Sequence, residues 1–383
     1  MEQKLSEAFT KEELVRYSRH LLIPEFQLKG QFRLKNSKVL VVGAGGLGSP
    51  VLFYLAAAGV GQIGIVDGDS VDESNLQRQI LYDSATVGKV KAAEAEHKIK
   101  LLNPHLKTAI FHRWLRSDNA LEIIKEYDLV IDGTDNFPTR YLVNDACVIL
   151  GKPLVYGSIF QFEGQVTVFN LVEKDGTRGP NYRDLFPEPP PPGLVPSCAE
   201  GGVLGVLPGI IGSMQANEAI KILTGIGTTL SGRLFIFDAL NFESVTLKIS
   251  KNPDLPPIEK LIDYEEFCGI KDHDVSSNGQ NVTVQQLAEW IREGVDFKLI
   301  DVRDAYEYEI ADIGGDKINL SDIEHAIERI PVDQRVIFYC RSGKRSAEAI
   351  QRIKKVKPLT NLFNLKGGIL AYIEEIDSSL KRY

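Results

Sequence analysis

Gly43, Gly45 and Gly48 stand at GxGxxG spacing in KVLVVGAGGLGS, with Gly46 between them, ahead of the helix-like PVLFYLAAAG. Backbone without side chains lets successive amides and a helix N-terminus approach a phosphate closely. The apolar run IGIV ends in Asp67, where a carboxylate accepts hydrogen bonds from ribose hydroxyls. Alone, these features fit a nicotinamide dinucleotide as well as any other nucleotide. The continuation does not: SNLQRQ brings Ser74, Asn75, Leu76, Gln77, Arg78 and Gln79 just beyond that carboxylate, and Lys91 follows in VGKVKAAEAE. Two cations there suit a triphosphate cut between its α and β phosphates, because charge building on the leaving pyrophosphate must be neutralised. Further on, DLVIDG runs into TDNFPTR and carries Asp135 and Asn136 to the carboxyl end of a strand, the edge where ligands of open α/β sheets bind. Asp135 reads as the Mg²⁺ carboxylate, since that ion is held by one or two carboxylates together with substrate phosphates. Singly, Arg78 and Lys91 are also what a solvated helix carries, and Asp67 and Asp135 also what a turn or cap carries. The ordered set is what specifies a nucleoside triphosphate.

A second reactive group lies towards the other end. RVIFYC delivers Cys340 to the end of a strand, followed by RSGKRS and a helix. A loop of backbone amides closing onto a helix N-terminus cradles an anion and suits a nucleophilic sulfur, with Arg341, Lys344 and Arg345 adding positive charge. A tyrosine-phosphatase loop would need arginine six positions after the cysteine, where Ser346 stands. Asp301 and Arg303 upstream read as a structural pair. Cys198 lies in LVPSCAEGG after the proline-rich FPEPPPPG, close to a helix start that could activate a thiol. Cys147, inside VNDACVILG, reads as core, and Cys268 in EEFCG has no partner spacing.

The elements that must position these groups follow from periodicity. Short apolar runs alternating with helical patterns give a parallel α/β sheet, which QVTVFN, RLFIFD and SVTLKI extend with antiparallel strands. KNPDLPPIEKL and HDVSSNGQN have linker composition. Beyond them, TVQQLAEWIREG, KLIDV, SDIEHAIERI, RVIFYC, SAEAIQRIKK, NLFNL and GGILAYIEEI alternate helix and strand, a second parallel α/β domain. The expected division is 1–250, a linker at 251–280, and 281–383. A formal charge of -8 without a basic stripe argues against nucleic acid or an anionic membrane as partner. The acidic, polar start MEQKLSEAFTKEEL lacks the apolar core of a secretory signal, and the run GGVLGVLPGIIGSM is too short and broken to span a bilayer. Four scattered cysteines make no disulfide framework, so the cytoplasm is the expected compartment.

From Leu14 to Ile249 the chain resembles the MoeB/ThiF/HesA family, bacterial relatives of ubiquitin-activating enzymes. The resemblance rests on the glycine loop, the first Asp of DGD, SNLQR, a lysine thirteen residues after that arginine, and TDN. It implies a Rossmann-like ThiF/MoeB adenylation domain with a mixed sheet, binding ATP and Mg²⁺ through Gly46, Asp67, Ser74 to Arg78, Lys91, Asp135 and Asn136. RYSRH matches the family's RYxRQ segment, whose second arginine, here Arg19, reaches the ATP of the partner subunit, so a homodimer is implied. The implied reaction is adenylation of the C-terminal Gly-Gly carboxylate of a ubiquitin-like sulfur carrier protein. From Val282 to Tyr383, LIDVRDAYEYE, CRSGKRS and NLKGGI resemble a small parallel α/β rhodanese domain, whose cysteine carries sulfane sulfur as a persulfide. There ADIGGDKIN replaces the usual GHIPGA-like turn. In the first family Cys198 occupies a crossover-loop position assigned a thioester or a mixed persulfide.

Many such relatives hold zinc with two CxxC pairs. The matching positions here are Asn181 and Asp184, then Leu255 and Ile258, which supply neither thiolate nor imidazole, so no structural zinc is expected and Leu255 and Ile258 should substitute apolar contact. The resemblances together imply two stages: Arg19, Arg78 and Lys91 stabilise formation of acyl-AMP, then a Cys340 persulfide, loaded by a sulfur donor such as a cysteine desulfurase, attacks the acyl carbon. A nicotinamide dehydrogenase would keep the glycines and Asp67 but has no use for SNLQRQ or TDN. A scaffold that only presents the carrier would be indifferent to Asp135. The carrier's pathway stays open among molybdopterin, thiamine, sulfur amino acid and tRNA thiolation, with the fused rhodanese pointing to molybdopterin.

Overall fold

Short β-branched runs build the first sheet: β1 (Lys38–Val42), β2 (Gln62–Val66), β3 (Lys107–Phe111), β4 (Leu129–Asp132) and β5 (Leu154–Phe160), with β1, β2 and β4 largely buried on both faces and β3 partly exposed. They pair in parallel, and β6 (Glu163–Phe169), β7 (Arg233–Asp238) and β8 (Glu243–Lys248) continue antiparallel, giving the order β3-β2-β1-β4-β5-β6-β7-β8. The structure is a computed structural model describing residues 5–191, 201–269 and 280–383. It divides after Lys271 into two compact units, each described by itself below.

Alternation along β1 sends Val39 and Val41 to one face and Leu40 and Val42 to the other. On the first face they meet the helix Gly48–Ala58, whose Val51, Leu52 and Leu55 are fully buried, and the helix Leu207–Thr224. Each such aliphatic side chain contributes about 1.5–3 kcal/mol by leaving water. On the second face lies the helix Phe137–Leu150, which buries Tyr141, Val143 and Cys147. Cys147 is therefore core, its thiol pushed up by burial and by Asp132. β1 lies between β2 and β4, so successive connections leave it in opposite directions and a crevice opens where β1 and β4 end.

Residues 252–268 lie against the first unit. Tyr264 and Cys268 enter its core, and burial pushes the Cys268 thiol up to about 11. Asp145, buried in the helix Phe137–Leu150, accepts bonds from Arg183 Nε and Nη2 (2.9 and 2.7 Å) and from the Tyr264 hydroxyl (2.7 Å). Ser117 donates to the Ile262 carbonyl at 2.6 Å. The expected apolar substitute for zinc is not what the structure uses: Leu255 and Ile258 are partly exposed and outside the hydrophobic clusters, because the chain there runs over the surface and packs Leu261 and Ile262 instead. Asn181 and Asp184 close a capping box, and Asp184 Oδ1 accepts from Asn252 N at 2.8 Å.

The second unit has β9 (Gln280–Val282), β10 (Phe297–Asp301), β11 (Asp316–Lys317), β12 (Arg335–Tyr339) and β13 (Leu362–Leu365), all parallel, in the order β11-β10-β12-β13-β9. The helices Val284–Glu293 and Gly368–Glu375 cover one face and Lys344–Val356 the other. SDIEHAIERI does not form the expected helix. It winds into two 3₁₀ turns, Leu320–Asp322 and Ile327–Arg329, closed largely by bonds to the third preceding carbonyl. Burial of Ile323, Ala326, Ile327 and Ile330 against Val336 and Phe338 decides this, in a run whose β-branched residues favour the α-helix little and which Pro331 ends.

If polar contacts rather than metal tie the 252–268 segment down, EDTA leaves its amide hydrogen exchange in the whole protein unchanged. Asp184→Ala, which removes the capping box and the bond to Asn252, accelerates exchange by about five-fold or more. A chelator-sensitive segment, or one indifferent to Asp184, would contradict this.

Candidate functional site

The crevice at the ends of β1 and β4 is built by close backbone contact. Gly43 leaves β1 with φ +92°, its amide bonded to the Val66 carbonyl at 2.8 Å. A Cβ on Gly43 would lie 2.8 Å from the Gly133 carbonyl oxygen, and one on Gly48 would collide with the Gly43 carbonyl. Only glycine permits this turn. It brings the start of the helix Gly48–Ala58 under the cleft, and the Tyr82 hydroxyl supports it from below by donating to the Ala44 carbonyl at 2.8 Å.

Gly43, Gly45, Gly46, Asp67, Arg78, Lys91, Asp135 and Asn136 line this one cleft. Asp67, at the end of β2, accepts from Ala44 N and Asp69 N, both at 2.8 Å, and burial pushes its carboxyl up against those two bonds. Each carboxylate oxygen keeps a further lone pair for a hydroxyl donor. Lys91, nearly buried at the start of the helix Lys91–Leu102, reaches Asp69 Oδ2 at 3.1 Å. Arg78 Nη1 holds the Ser74 carbonyl at 3.0 Å. Asp135 is exposed at the mouth, and Asn136 caps the helix Phe137–Leu150 through Thr139 N. The remaining SNLQ residues do not line the cleft but shape the turn that aims Arg78 and Gln79: the Asn75 carbonyl accepts from both amides, Leu76 packs on the core, and the Ser74 hydroxyl bonds Asp72. Gln77 lies against Gly205. Arg19, on the short helix Ser18–Leu21, is exposed and outside the cleft of its own chain. Cys198 lies outside the described residues.

In the second unit Cys340 directly follows β12 with its side chain buried, and Gly343 N donates to its Sγ at 3.1 Å. Gly343, at φ +92°, caps the helix Lys344–Val356. The Ser346 hydroxyl stands 3.5 Å from Sγ and 2.7 Å from Asn364 Oδ1. The loop arginines are held by other groups as well: Arg345 forms a two-bonded pair with Glu307 (2.7 and 2.8 Å), and Arg341 donates twice to the Tyr383 main-chain oxygen (3.0 and 2.7 Å). Burial pushes the Glu307 carboxyl up, but the Arg345 bonds outweigh it and hold the group below its usual range. Arg303, fully buried, pairs with Asp301 through Nε and Nη2, so that pair is structural.

Residues 17–257 match the ThiF family, and 283–375 match the rhodanese-like domain. The chain belongs to the ThiF family. It is 49% identical over 381 residues to a probable adenylyltransferase/sulfurtransferase MoeZ of Mycobacterium tuberculosis, covering 98% of this chain and 97% of that one. It is 54% identical over 269 residues to a sulfur carrier protein adenylyltransferase of Thermus thermophilus, covering 69% of this chain and 99% of the relative. A solved structure of E. coli MccB with ATP shares the fold at a TM-score of 0.53 and 20% identity, over 63% of this chain and 73% of that one. The protein is accordingly an enzyme with an adenylyltransferase domain of ThiF type and a rhodanese-type sulfurtransferase domain.

The ThiF-type cleft also has walls that the motifs did not reveal. Arg113, Trp114 and Leu115 follow β3 and close one side, with the half-exposed Trp114 ring against Gly68. Arg140 adds another cation, bonded to the Thr134 carbonyl at 3.2 Å and lying over Phe137 and Tyr156. A loop after a strand carries no spacing signal, though HRWL is an unusual sequence for a plain connection. Gly48→Ala should displace the glycine turn and weaken ATP binding by about ten-fold or more in calorimetry, while thiosulfate-to-cyanide sulfur transfer by the same protein is unchanged. Unaltered ATP affinity would contradict the assignment of this turn.

Proposed function

We propose that the chain activates the C-terminal glycine carboxylate of a ubiquitin-like sulfur carrier with ATP and then receives sulfur onto it from a persulfide on Cys340. The observation that carries this reading is the single cleft in which a glycine turn, the Asp67 carboxylate, Arg78, Lys91 and the exposed Asp135 converge, in a chain that also supplies a buried cysteine at a rhodanese-like loop. The names of the Mycobacterium and Thermus relatives support the carrier as substrate.

In the first stage the glycine turn and helix start hold the phosphates, and Asp67 takes the ribose. The carrier carboxylate attacks the α-phosphorus, forming a mixed anhydride with AMP and expelling pyrophosphate. Arg78 and Lys91 meet the charge that develops on the leaving group, and Arg19 of a partner subunit adds to them in a homodimer. Asp135 fits a Mg²⁺ ligand because it is an exposed carboxylate at the mouth of a cleft otherwise rich in cations. Bound there, the ion would neutralise the phosphates. In the second stage the Cys340 persulfide, loaded by a cysteine desulfurase or a small donor, displaces AMP to give an acyl disulfide. A thiol then attacks Cys340 sulfur and releases the thiocarboxylate, leaving a disulfide that a further thiol reduces; Cys198 is the chain's own candidate. The proposed division of labour is 1–250 for adenylation and 281–383 for sulfur transfer, with 251–280 between them, in a cytoplasmic protein without structural zinc. Among pathways, molybdopterin synthesis is the one a fused rhodanese favours.

Cys340→Ala should retain carrier-dependent ATP–pyrophosphate exchange and lose thiocarboxylate formation. Loss of both activities would refute the separation of the two stages.

A further inference from the structure

Tyr383 touches both arginines that flank Cys340, one directly and one through a carboxylate. Its main-chain oxygen accepts from Arg341 Nε at 3.0 Å and Nη2 at 2.7 Å, and the Arg341 guanidinium lies 5.6 Å from the centre of the tyrosine ring. Its hydroxyl accepts from Arg303 Nη1 and donates to Glu307 Oε1 at 3.0 Å. Glu307 in turn holds Arg345 with two bonds. Arg303 is anchored on Asp301 and on the Ala311 carbonyl, all within the core. The groups around the Cys340 loop are thus Arg341, Lys344 and Arg345 on the loop and the start of its helix, Asp304, Tyr306 and Glu307 from the helix Ala305–Ile310 and its cap, Ser346 with Asn364, and Tyr383. Burial pushes the Tyr383 hydroxyl up to about 12, so it stays protonated and donates to Glu307 at every physiological pH.

We propose that Tyr383 is a positioning residue for sulfur transfer at Cys340, fixing Arg341 through its main-chain oxygen and ring and Arg345 through its hydroxyl and Glu307. This rests on the reading of Cys340 as the sulfur-carrying residue. A guanidinium donates five N–H groups from a rigid plane. Using two on the Tyr383 main-chain oxygen sets the orientation of that plane, and a cation already oriented loses less freedom when an anionic sulfur donor arrives. Slackening the clamp therefore raises the donor's KM and does not merely reduce the fraction of working protein.

The test uses the whole protein with thiosulfate as donor and cyanide as acceptor. The Cys340 thiolate takes the outer sulfur of thiosulfate, breaking its S–S bond and releasing sulfite. Cyanide then takes that sulfur from the persulfide, forming thiocyanate and restoring the thiolate. Tyr383→Phe keeps the ring and the main-chain oxygen and should raise the thiosulfate KM about three-fold. Tyr383→Ala loses the ring over Arg341 as well and should raise it about ten-fold. ATP–pyrophosphate exchange, which uses the other domain, stays at the parent level in both and confirms an intact chain. Combining Tyr383→Phe with Glu307→Gln should cost less than the product of the single effects, because both act on Arg345. An unchanged KM in Tyr383→Ala, with or without a lower kcat, or strictly multiplicative effects, would overturn the proposal. Absence of thiocyanate formation by the parent protein would instead overturn the sulfur-transfer reading of Cys340.

Discussion

Three glycines from two strand ends and one helix start occupy the space where side chains would normally stand, and the ATP cleft exists because of that contact. Gly43 turns at φ +92° against Gly133, and Gly48 begins its helix against the Gly43 carbonyl. The helix can then lie flat on β1, burying Val51, Leu52 and Leu55, while its N-terminal amides face the crevice. The same reversal of strand order that seats this helix carries Asp67 in from β2 and Asp135 in from beyond β4. The cleft thus receives its cations and carboxylates from segments far apart in the chain but adjacent at one edge of the sheet.

The rhodanese-type unit solves the opposite electrostatic problem. Its cysteine is buried beside a loop that carries Arg341, Lys344 and Arg345, and those positive charges must neither repel one another nor swing into solvent. The structure answers with pairing: Glu307 under Arg345, Asp301 under Arg303, and Tyr383 joining these groups to Arg341. A buried pair of this kind adds little net stability compared with apolar packing, yet removal of one partner leaves an uncompensated charge. Its value here is geometric. The loop that presents Cys340 is held through Arg341 by Tyr383 and through Arg345 by Glu307.

Much of the architecture was legible because it follows from local pattern. The β-branched runs at β1, β2 and β4, the glycine spacing, and the switch to alternating strands at β6 to β8 each mark an element by composition alone. What local pattern could not convey was tertiary partnership. Lys91 reads as a phosphate cation, but its contact with Asp69 depends on a turn formed elsewhere. Trp114 and Arg140 reach the cleft through the path of a loop and the pitch of a helix, neither of which has a fixed spacing from the motifs. SDIEHAIERI has the apolar spacing of a helix, but its 3₁₀ winding goes with the burial of Ile323, Ala326, Ile327 and Ile330 in a β-branched run that Pro331 ends. Leu255 and Ile258 invited the idea of an apolar plug, whereas the segment is held by Asp184, Asp145 and Ser117 through hydrogen bonds across the sequence.

If the glycine-walled cleft makes an acyl-adenylate on a carrier protein, intact-mass spectrometry will detect it on a small Gly-Gly-ending sulfur carrier incubated with this protein, ATP and Mg²⁺ in the absence of any sulfur donor. The expected result is a carrier species heavier by one adenylyl group, with pyrophosphate as the co-product. An unmodified carrier accompanied by release of inorganic phosphate and ADP would contradict it.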